Sequence, residues 1–247
     1  MSTPDAMLGG RLVLRQAANG HRAGTDAALL AALAPADAAG LLIDAGAGSG
    51  MVGLAIALRC PALQVHLCDI DASSVALADE NLALNGLAAR GRAVLVDVTR
   101  ASERRAAGLA DDAADYVATN PPYLEAGGRL SPDLDRARAH AMATPDGLER
   151  WVRGCCAMLR PGGLFMMIHR ADALGCALAV MQGRFGAIVM RAVHARAATP
   201  AIRVLLAARK GSRAKLVIAP PLVLHEADGR FTPLAQAVHD GRALITA

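Results

Sequence analysis

Several residue types that mark particular classes of protein are scarce in this sequence of 247 residues. Charged residues make up only 19% and hydrophobic residues 54%, a balance that excludes an intrinsically disordered chain. No charge-free apolar run reaches about 18 residues, so no membrane-spanning helix is predicted. The N-terminus has no apolar core of signal-peptide length, so no secretion signal is expected.

Cysteine is present in a pattern that argues against structural cross-links. The five cysteines are an odd number and include no C-x-x-C pair, which disfavours a disulfide framework, a structural zinc site and a cysteine-bound iron–sulfur cluster. The histidines show no metal-ligand spacing, so no metal is predicted. Reduced, buried thiols in a cytoplasmic protein are expected instead.

Aromatic residues and lysine are nearly absent. Aromatics make up 2% of the chain, so the core must consist mainly of Leu, Val, Ile, Ala and Met. The net charge is +4, but residues 173–225 contain no Asp or Glu. An unbalanced cationic segment favours an anionic partner such as nucleic acid, and a solvated set of turns is the alternative. The eight cations of this segment are Arg184, Arg191, Arg196, Arg203, Arg209, Lys210, Arg213 and Lys215.

Strand and helix patterns alternate along most of the chain. A short strand is predicted at 12–14 and an apolar helix after Gly24. Helices are predicted at 51–59, 72–84, 145–159 and 173–181, and strands at 41–43, 63–68, 93–96, 116–119, 164–168, 187–194 and 202–208. The last two strands follow each other without a helix. This order predicts an α/β fold, a doubly wound and mostly parallel seven-stranded sheet with an antiparallel end.

A glycine-rich turn, Asp44-Ala45-Gly46-Ala47-Gly48-Ser49-Gly50, follows the strand at 41–43. Glycines allow close approach of a ligand and entry into a helix N-terminus. The turn also satisfies the dinucleotide pattern G-x-G-x-x-G. A carboxylate at its start would repel a pyrophosphate but suits a cationic ligand, so S-adenosylmethionine is favoured over a nicotinamide cofactor. A purely structural turn is the alternative.

Two further acids follow the next two strands. Asp69 comes directly after the strand at 63–68, where a carboxylate can accept hydrogen bonds from ribose hydroxyls. Asp71 is expected to cap the following helix. Asp97 follows the third strand, where it can accept from an adenine amine.

The segment Asn120-Pro121-Pro122-Tyr123 follows the fourth strand. Two prolines fix the backbone and remove N–H donors, which leaves carbonyl and amide oxygens as acceptors. Tyr123 adds a face on which a planar group can stack. Such a site suits a planar amine as methyl acceptor; a rigid turn is the alternative.

These motifs together resemble class I S-adenosylmethionine-dependent methyltransferases of the N-P-P-Y group, with a Rossmann-like fold. Segments 10–16, 20–30, 209–212 and 220–225 make the chain similar to bacterial tRNA(Val) adenine-N6 methyltransferases. The resemblance implies a tRNA substrate, no membrane partner and a cytoplasmic location. It also implies one domain over 1–247, with an N-terminal extension at 1–39 covering the cofactor, a core at 40–210 and a C-terminal appendage at 211–247.

The resemblance also assigns roles to individual residues. Asn120 and Pro121 would accept from the target amine, Pro122 would hold the turn, and Tyr123 would stack on the base. The implied cofactor contacts are Arg22, Thr25, Asp44, Ala45, Gly46, Gly48, Gly50, Asp69, Ile70, Asp97, Val98 and Asn120, with Asp26 next to them. RNA contacts are expected mainly from arginines because aromatics are so few. The polar stretch with Arg129, Arg136 and Arg138 is expected to flank the target pocket, and a solvated loop is the alternative.

Two other functions remain open on the sequence. The N-P-P-Y site also occurs in enzymes that methylate a glutamine amide of release factors, but only 43 residues precede Asp44, too few for their helical substrate domain. A non-catalytic RNA-binding protein on the same fold is the second alternative, and the intact Asn120–Tyr123 segment argues against it. The sequence carries no signal for an oligomeric state.

Overall fold

The computed structural model of the protein describes residues 4–16, 24–121 and 145–245. Its strands and helices alternate through the middle of the chain. The strands are β1 (Asp5–Met7), β2 (Leu12–Leu14), β3 (Gly40–Ala45), β4 (Leu63–Asp69), β5 (Gly91–Leu95), β6 (Ala114–Thr119), β7 (Leu159–Arg170), β8 (Phe185–His194), β9 (Ala201–Lys210) and β10 (Val217–Val223). The helices are α1 (Thr25–Ala31), α2 (Met51–Arg59), α3 (Ala72–Leu84), α4 (Ala101–Ala106), α5 (Pro145–Met158), α6 (Leu174–Met181) and α7 (Pro233–His239).

The main sheet has the strand order β10-β8-β9-β7-β6-β3-β4-β5, and β1 and β2 form a separate antiparallel pair. Strands β3 to β7 run parallel to their neighbours in this set. Strand β9 runs antiparallel to both β7 and β8. The predicted doubly wound, mostly parallel sheet with an antiparallel end is therefore confirmed.

The predicted count of seven strands was one too low for this sheet. Strand β10 pairs in parallel with β8 as an eighth strand, in the segment that the sequence indicated as an appendage. Pro220 and Pro221 lie in this strand, although proline cannot donate to a ladder and is rare inside a sheet. The strand accommodates them at the edge of the sheet, with a register shift between Ala219 and Leu222. The division of the chain into extension, core and appendage stays a prediction.

Successive side chains of each strand point to opposite faces of the sheet and form two apolar layers, one on each face. Leu42 belongs to the layer beneath α1, α2, α3 and α7, whereas Ile43 belongs to the layer beneath α5 and α6. In β7, Met166 and Phe165 divide in the same way. Helices thus cover both faces, as a parallel sheet requires. No helix in the described ranges is long and apolar enough to cross a membrane.

Local residues fix the ends of the helices that flank the candidate site. Asp71 caps α3, as predicted, because its carboxylate accepts from the Ser74 amide at 2.8 Å. Helix α3 ends before Asn85-Gly86, and Gly86 has the positive φ of +67° that glycine adopts easily.

The strand order places a crevice at the carboxyl ends of β3 and β6. These two strands are neighbours, but the chain continues outward from β3 to β4 and from β6 to β7, on opposite sides. In doubly wound sheets ligands bind where the order reverses in this way. The polar residues that end β3, β4 and β6 therefore face one region.

Candidate active site

The glycine turn between β3 and α2 is held by backbone hydrogen bonds to the end of β4. The amides of Gly46 and Ala47 both donate to the Cys68 carbonyl, at 2.9 and 3.0 Å. Gly48 has a φ of +55°, and a side chain built there would meet no atom within 4 Å. Gly48 therefore faces open space, which lets a ligand approach its backbone closely. Gly50 also has a positive φ and is the N-cap residue directly before α2.

Asp69 at the end of β4 faces the glycine turn. Its Oδ2 accepts from the Gly48 amide at 2.8 Å and its Oδ1 accepts from the Asp71 amide at 3.0 Å. Burial raises the pKa of this carboxyl above its usual range, although these backbone amides act in the opposite direction. Each carboxylate oxygen keeps a second lone pair for a hydroxyl donor. Beside it, Ile70 exposes 43% of its surface and offers an apolar face to a ring.

Asp44 has a structural task that the sequence did not indicate. Helix α2 begins after Gly50, which has no side chain to cap it. The Oδ2 of the buried Asp44 accepts from the Gly53 amide in the first turn at 2.8 Å and replaces the missing cap. Burial raises the pKa of Asp44 to about 7, with the Asp69 charge adding to the rise. Whether Asp44 also contacts a cofactor stays a prediction.

Asn120, directly after β6, has a side-chain oxygen that is able to accept a hydrogen bond from a ligand. Its Oδ1 is buried and has no hydrogen-bond partner among the described residues. A buried acceptor without a partner costs about 1–3 kcal/mol, so a bound N–H or O–H donor would relieve that cost. Pro121 is buried beside it. Pro122 and Tyr123 lie outside the described residues.

Asp97 and Val98 after β5 are already engaged by their own turn. The Oδ1 of Asp97 accepts from the amide and the hydroxyl of Thr99, at 2.9 and 2.7 Å, and its Oδ2 pairs with Arg100 at 3.2 Å. Val98 is buried, and its carbonyl accepts from Arg104 at 2.8 Å. The predicted contact of Asp97 with an adenine amine would have to use its remaining lone pairs.

The first residues of α1 contact other parts of the chain. The Thr25 hydroxyl lies 3.2 Å from Nε2 of His239 on α7, and Asp26 forms an ion pair of 2.8 Å with Arg203 on β9. Arg22 lies outside the described residues. A cofactor contact by Arg22 and Thr25 stays a prediction.

The hydrogen-bond acceptors of the crevice suit S-adenosylmethionine. The carboxylates of Asp44 and Asp69 and the amide oxygen of Asn120 are acceptors for the amine and hydroxyl groups of that molecule, and none of these three groups pairs with a cation in the described ranges. Residues 21–196 match the family described as Methyltransferase small domain.

The chain belongs to this methyltransferase family.

Similar proteins agree on methyl transfer and differ in the acceptor. The methyltransferase is 32% identical, over 85% of both chains, to a tRNA1(Val) (adenine(37)-N6)-methyltransferase of Aeromonas hydrophila. It is 32% identical to a release factor glutamine methyltransferase of Bordetella pertussis, over 64% of this chain and 57% of that relative. A solved structure titled a predicted O-methyltransferase, from Agrobacterium tumefaciens, superimposes with a TM-score of 0.76, with 32% identity, 90% of this chain and 99% of the other covered. The predicted methyltransferase activity and its cofactor, S-adenosylmethionine, are confirmed.

Trp151 and Thr119, which the sequence analysis missed, connect two strands of the methyltransferase site. The Trp151 Nε1 on α5 donates to the Thr119 hydroxyl at 2.9 Å, which in turn donates to the Ala45 carbonyl at 2.8 Å. The indole also lies 3.1 Å from where a side chain on Gly46 would begin. This chain of contacts ties the end of β6, next to Asn120, to the end of β3.

Asn81 plays a similar part behind the glycine turn. It is fully buried on α3, and its Nδ2 donates to the carbonyls of Ser49 and Arg15, both at 2.9 Å. Its Oδ1 accepts from the Arg15 amide at 2.8 Å. Asparagine inside a predicted helix was the available signal, because it weakens a helix interior unless its side chain has another use.

Proposed function

We propose that this methyltransferase transfers a methyl group from S-adenosylmethionine to the exocyclic N6 of an adenine in tRNA, in the anticodon loop of tRNA(Val). The observation that carries the proposal is the buried Oδ1 of Asn120 at the crevice, which has no hydrogen-bond partner in the part of the chain that the structure describes. An amine held there has its hydrogens occupied by acceptors. The name of the relative that matches 85% of both chains supports adenine as the acceptor base.

The residues of the site would divide the work between cofactor and base. Asp69 accepts from the ribose hydroxyls of the cofactor, and the Gly46–Gly50 turn lies against its amino acid part. Asn120 Oδ1 and the Pro121 carbonyl each accept one hydrogen of the adenine amine. Tyr123 stacks on the base once it has left its own stack.

The acceptors also prepare the amine for reaction. An adenine N6 is planar and its lone pair is delocalised into the ring, so it is a weak nucleophile. Two oriented acceptors favour a more tetrahedral nitrogen and aim its lone pair. The cofactor supplies a sulfonium methyl group and leaves as a neutral thioether. A new N–C bond forms as the S–C bond breaks, and the amine proton then passes to solvent, so no strong base is needed.

A glutamine amide is the second candidate acceptor, because its NH2 group also offers two hydrogens to Asn120 and Pro121. A hydroxyl offers only one hydrogen and would need a base to remove it. The methyltransferase matches 57% of the glutamine-modifying relative, against 85% of the adenine-modifying one, which favours adenine.

Nucleoside analysis tests the proposal. Purified protein, labelled S-adenosylmethionine and an unmodified tRNA(Val) transcript should give N6-methyladenosine on digestion. A transcript with guanine in place of adenine at nucleotide 37 should accept no label. Label in a release factor with none in the transcript would contradict the proposal and favour the glutamine alternative.

A further inference from the structure

Seven of the eight cationic residues of segment 173–225 are divided between the two ends of the sheet, and Arg191 lies in the middle of β8. Strand β9 starts at Ala201 near the carboxyl end of β7 and finishes at Lys210 near the amino end, and nine residues at ~3.3 Å each separate these points by about 30 Å. Arg196 and Arg203 lie at the end that carries the crevice. The residues at the opposite end are Arg184, Arg209, Lys210, Arg213 and Lys215.

Most of these cations already use their charge inside the protein. Lys210 pairs with Asp112 at 2.6 Å, and Arg184 pairs with Glu149 at 3.0 Å. Arg203 pairs with Asp26 at 2.8 Å. Arg209 donates to the Gly162 carbonyl at 3.2 Å, and Arg191 donates to the Pro220 carbonyl at 2.5 Å. These five are poor candidates for phosphate contacts, because binding would first have to break existing bonds.

Arg196 differs from them in both position and surroundings. It lies in the turn between β8 and β9, where residues 196–200 are all exposed. Its guanidinium has no acidic partner among the described residues. Strand β8 is the third strand from β6 in the sheet, so at ~4.8 Å per strand the turn lies about 10–14 Å to the side of Asn120.

The turn is held in one conformation by its own hydrogen bonds. The Thr199 amide donates to the Arg196 carbonyl at 3.1 Å, and the Thr199 hydroxyl donates to the same carbonyl at 2.8 Å. The Arg196 amide donates to Thr199 Oγ1 at 3.1 Å. His194 Nδ1 lies 2.7 Å from the Thr199 carbonyl, an acceptor that requires the proton on this nitrogen. A pre-formed turn loses little conformational freedom on binding.

We infer that the 195–200 turn is a contact surface for the RNA backbone, with Arg196 binding a phosphate close to the methylated base. The inference rests on the proposed function, since it names the part of the enzyme that receives the tRNA. Arginine suits this role because its planar guanidinium binds two phosphate oxygens at once. The turn has no acid to repel the backbone, because segment 173–225 contains none.

A matched pair of variants tests the contact. Arg196→Gln and Arg213→Gln remove the same charge from two exposed arginines without an acidic partner in the described ranges, at opposite ends of β9. Binding of an unmodified tRNA(Val) transcript is measured from 50 to 300 mM KCl. Arg196→Gln should raise Kd several-fold and make the slope of log K against log salt less negative by about 1, while Arg213→Gln should resemble the wild type. Calorimetry with S-adenosylmethionine should give the wild-type affinity for both, which shows that both are folded.

The outcomes separate this inference from the proposed function. If the wild-type protein binds and methylates the transcript and Arg196→Gln leaves the Kd and the salt slope unchanged, the proposed contact is wrong and the proposed function stands. An equal loss in Arg213→Gln would overturn the contact too, because it would show only the effect of net charge. Wild-type protein that neither binds nor methylates the transcript would overturn both. If the protein instead methylates a release factor, and this activity depends on Arg196, the turn contacts a protein and not RNA.

Discussion

At the amino ends of β3 and β6, charged side chains are paired with each other. Asp115 accepts from Arg160 at 2.6 Å and from the Leu41 amide at 2.8 Å, and these bonds outweigh burial and lower the pKa of its carboxyl. At the carboxyl ends of the same strands and of β4, the polar groups accept from backbone amides or have no hydrogen-bond partner among the described residues. Burial raises the pKa values of Asp44 and Asp69, and Asn120 Oδ1 has no partner within residues 4–16, 24–121 and 145–245.

The difference shows how one sheet separates stability from function. The paired charges at the amino ends have little bonding capacity left and serve to hold strands together. The groups at the carboxyl ends are buried or half-buried and pair with no cation among the described residues, which is unfavourable for polar groups. That unused capacity, rather than charge density, marks the site. Substitutions at the carboxyl ends should therefore lower turnover or cofactor affinity, whereas substitutions at the amino ends should lower stability.

The largest effect is expected from Asn120→Ala. It removes one acceptor that acts mainly in the transition state, and the loss of such a group typically lowers turnover by about 10²–10³-fold. Affinity for S-adenosylmethionine should barely change. Asp115→Asn at the amino end is the control and should reduce stability while leaving kcat close to the wild-type value. Methylation of tRNA by Asn120→Ala at the wild-type rate would show that the amine mechanism is wrong.

Asp69→Ala should act on the cofactor. A hydrogen bond to a charged group contributes about 1.5–3 kcal/mol, so the Kd for S-adenosylmethionine should rise by about 10- to 100-fold. Isothermal titration calorimetry measures the change directly. Unchanged affinity would remove Asp69 from the binding site and leave it only the task of holding the Gly48 amide.

Asp44→Asn should change the pH dependence of stability. The pKa of Asp44 is about 7 in the folded protein against 3.8 for the free group. Between about pH 4 and pH 7 the folded state therefore binds a proton that the unfolded state lacks, and stability falls as pH rises, by at most about 1.4 kcal/mol per pH unit. Asparagine keeps the bond to the Gly53 amide and cannot titrate.

Urea unfolding of both proteins at pH 5 and pH 8 measures this difference. The stability of the wild type relative to Asp44→Asn should be higher at pH 5 than at pH 8. Asp115→Asn is the control, because the lowered pKa of Asp115 keeps its stabilising contribution constant between pH 5 and pH 8, and that contribution is lost only on acidification below about pH 4. A constant difference between wild type and Asp44→Asn at both pH values would contradict the raised pKa.

The smallest effect is expected from Trp151→Phe. Phenylalanine keeps a ring against Gly46 but loses the donor to Thr119, a bond of about 0.5–1.5 kcal/mol. Turnover should fall about 2- to 10-fold because the Asn120 end of β6 is less firmly held, and the free energy of unfolding should fall by about 0.5–1.5 kcal/mol. A fall in stability without a fall in kcat would assign Trp151 to the core alone.

The elements with strong local boundaries could be predicted from the sequence. Helices α2 and α3 begin and end at the predicted residues, because Gly50, Pro61 and Asp71 limit them. Strand β10 could not be predicted, because its two prolines are tolerated only at the edge position that tertiary packing gives it.

In the candidate site too, some residues could be predicted from the sequence and others could not. The rule that parallel strands end at one edge brought Asp69 and Asn120 to one crevice. The tasks of Asp44 and Trp151 depend on contacts between separate elements, 9 and 32 residues apart in the chain, which no local pattern encodes. Pro122, Tyr123 and Arg22 lie outside the described residues, and their roles stay predictions.

The contact of Trp151 with Gly46 has a practical consequence. The chain contains one tryptophan, so all of its indole fluorescence comes from this position. The indole touches the first glycine of the turn and is bonded to the residue before Asn120. The protein thus carries its own optical reporter between the cofactor side and the base side of the crevice, and its emission can follow the occupation of either without an added label.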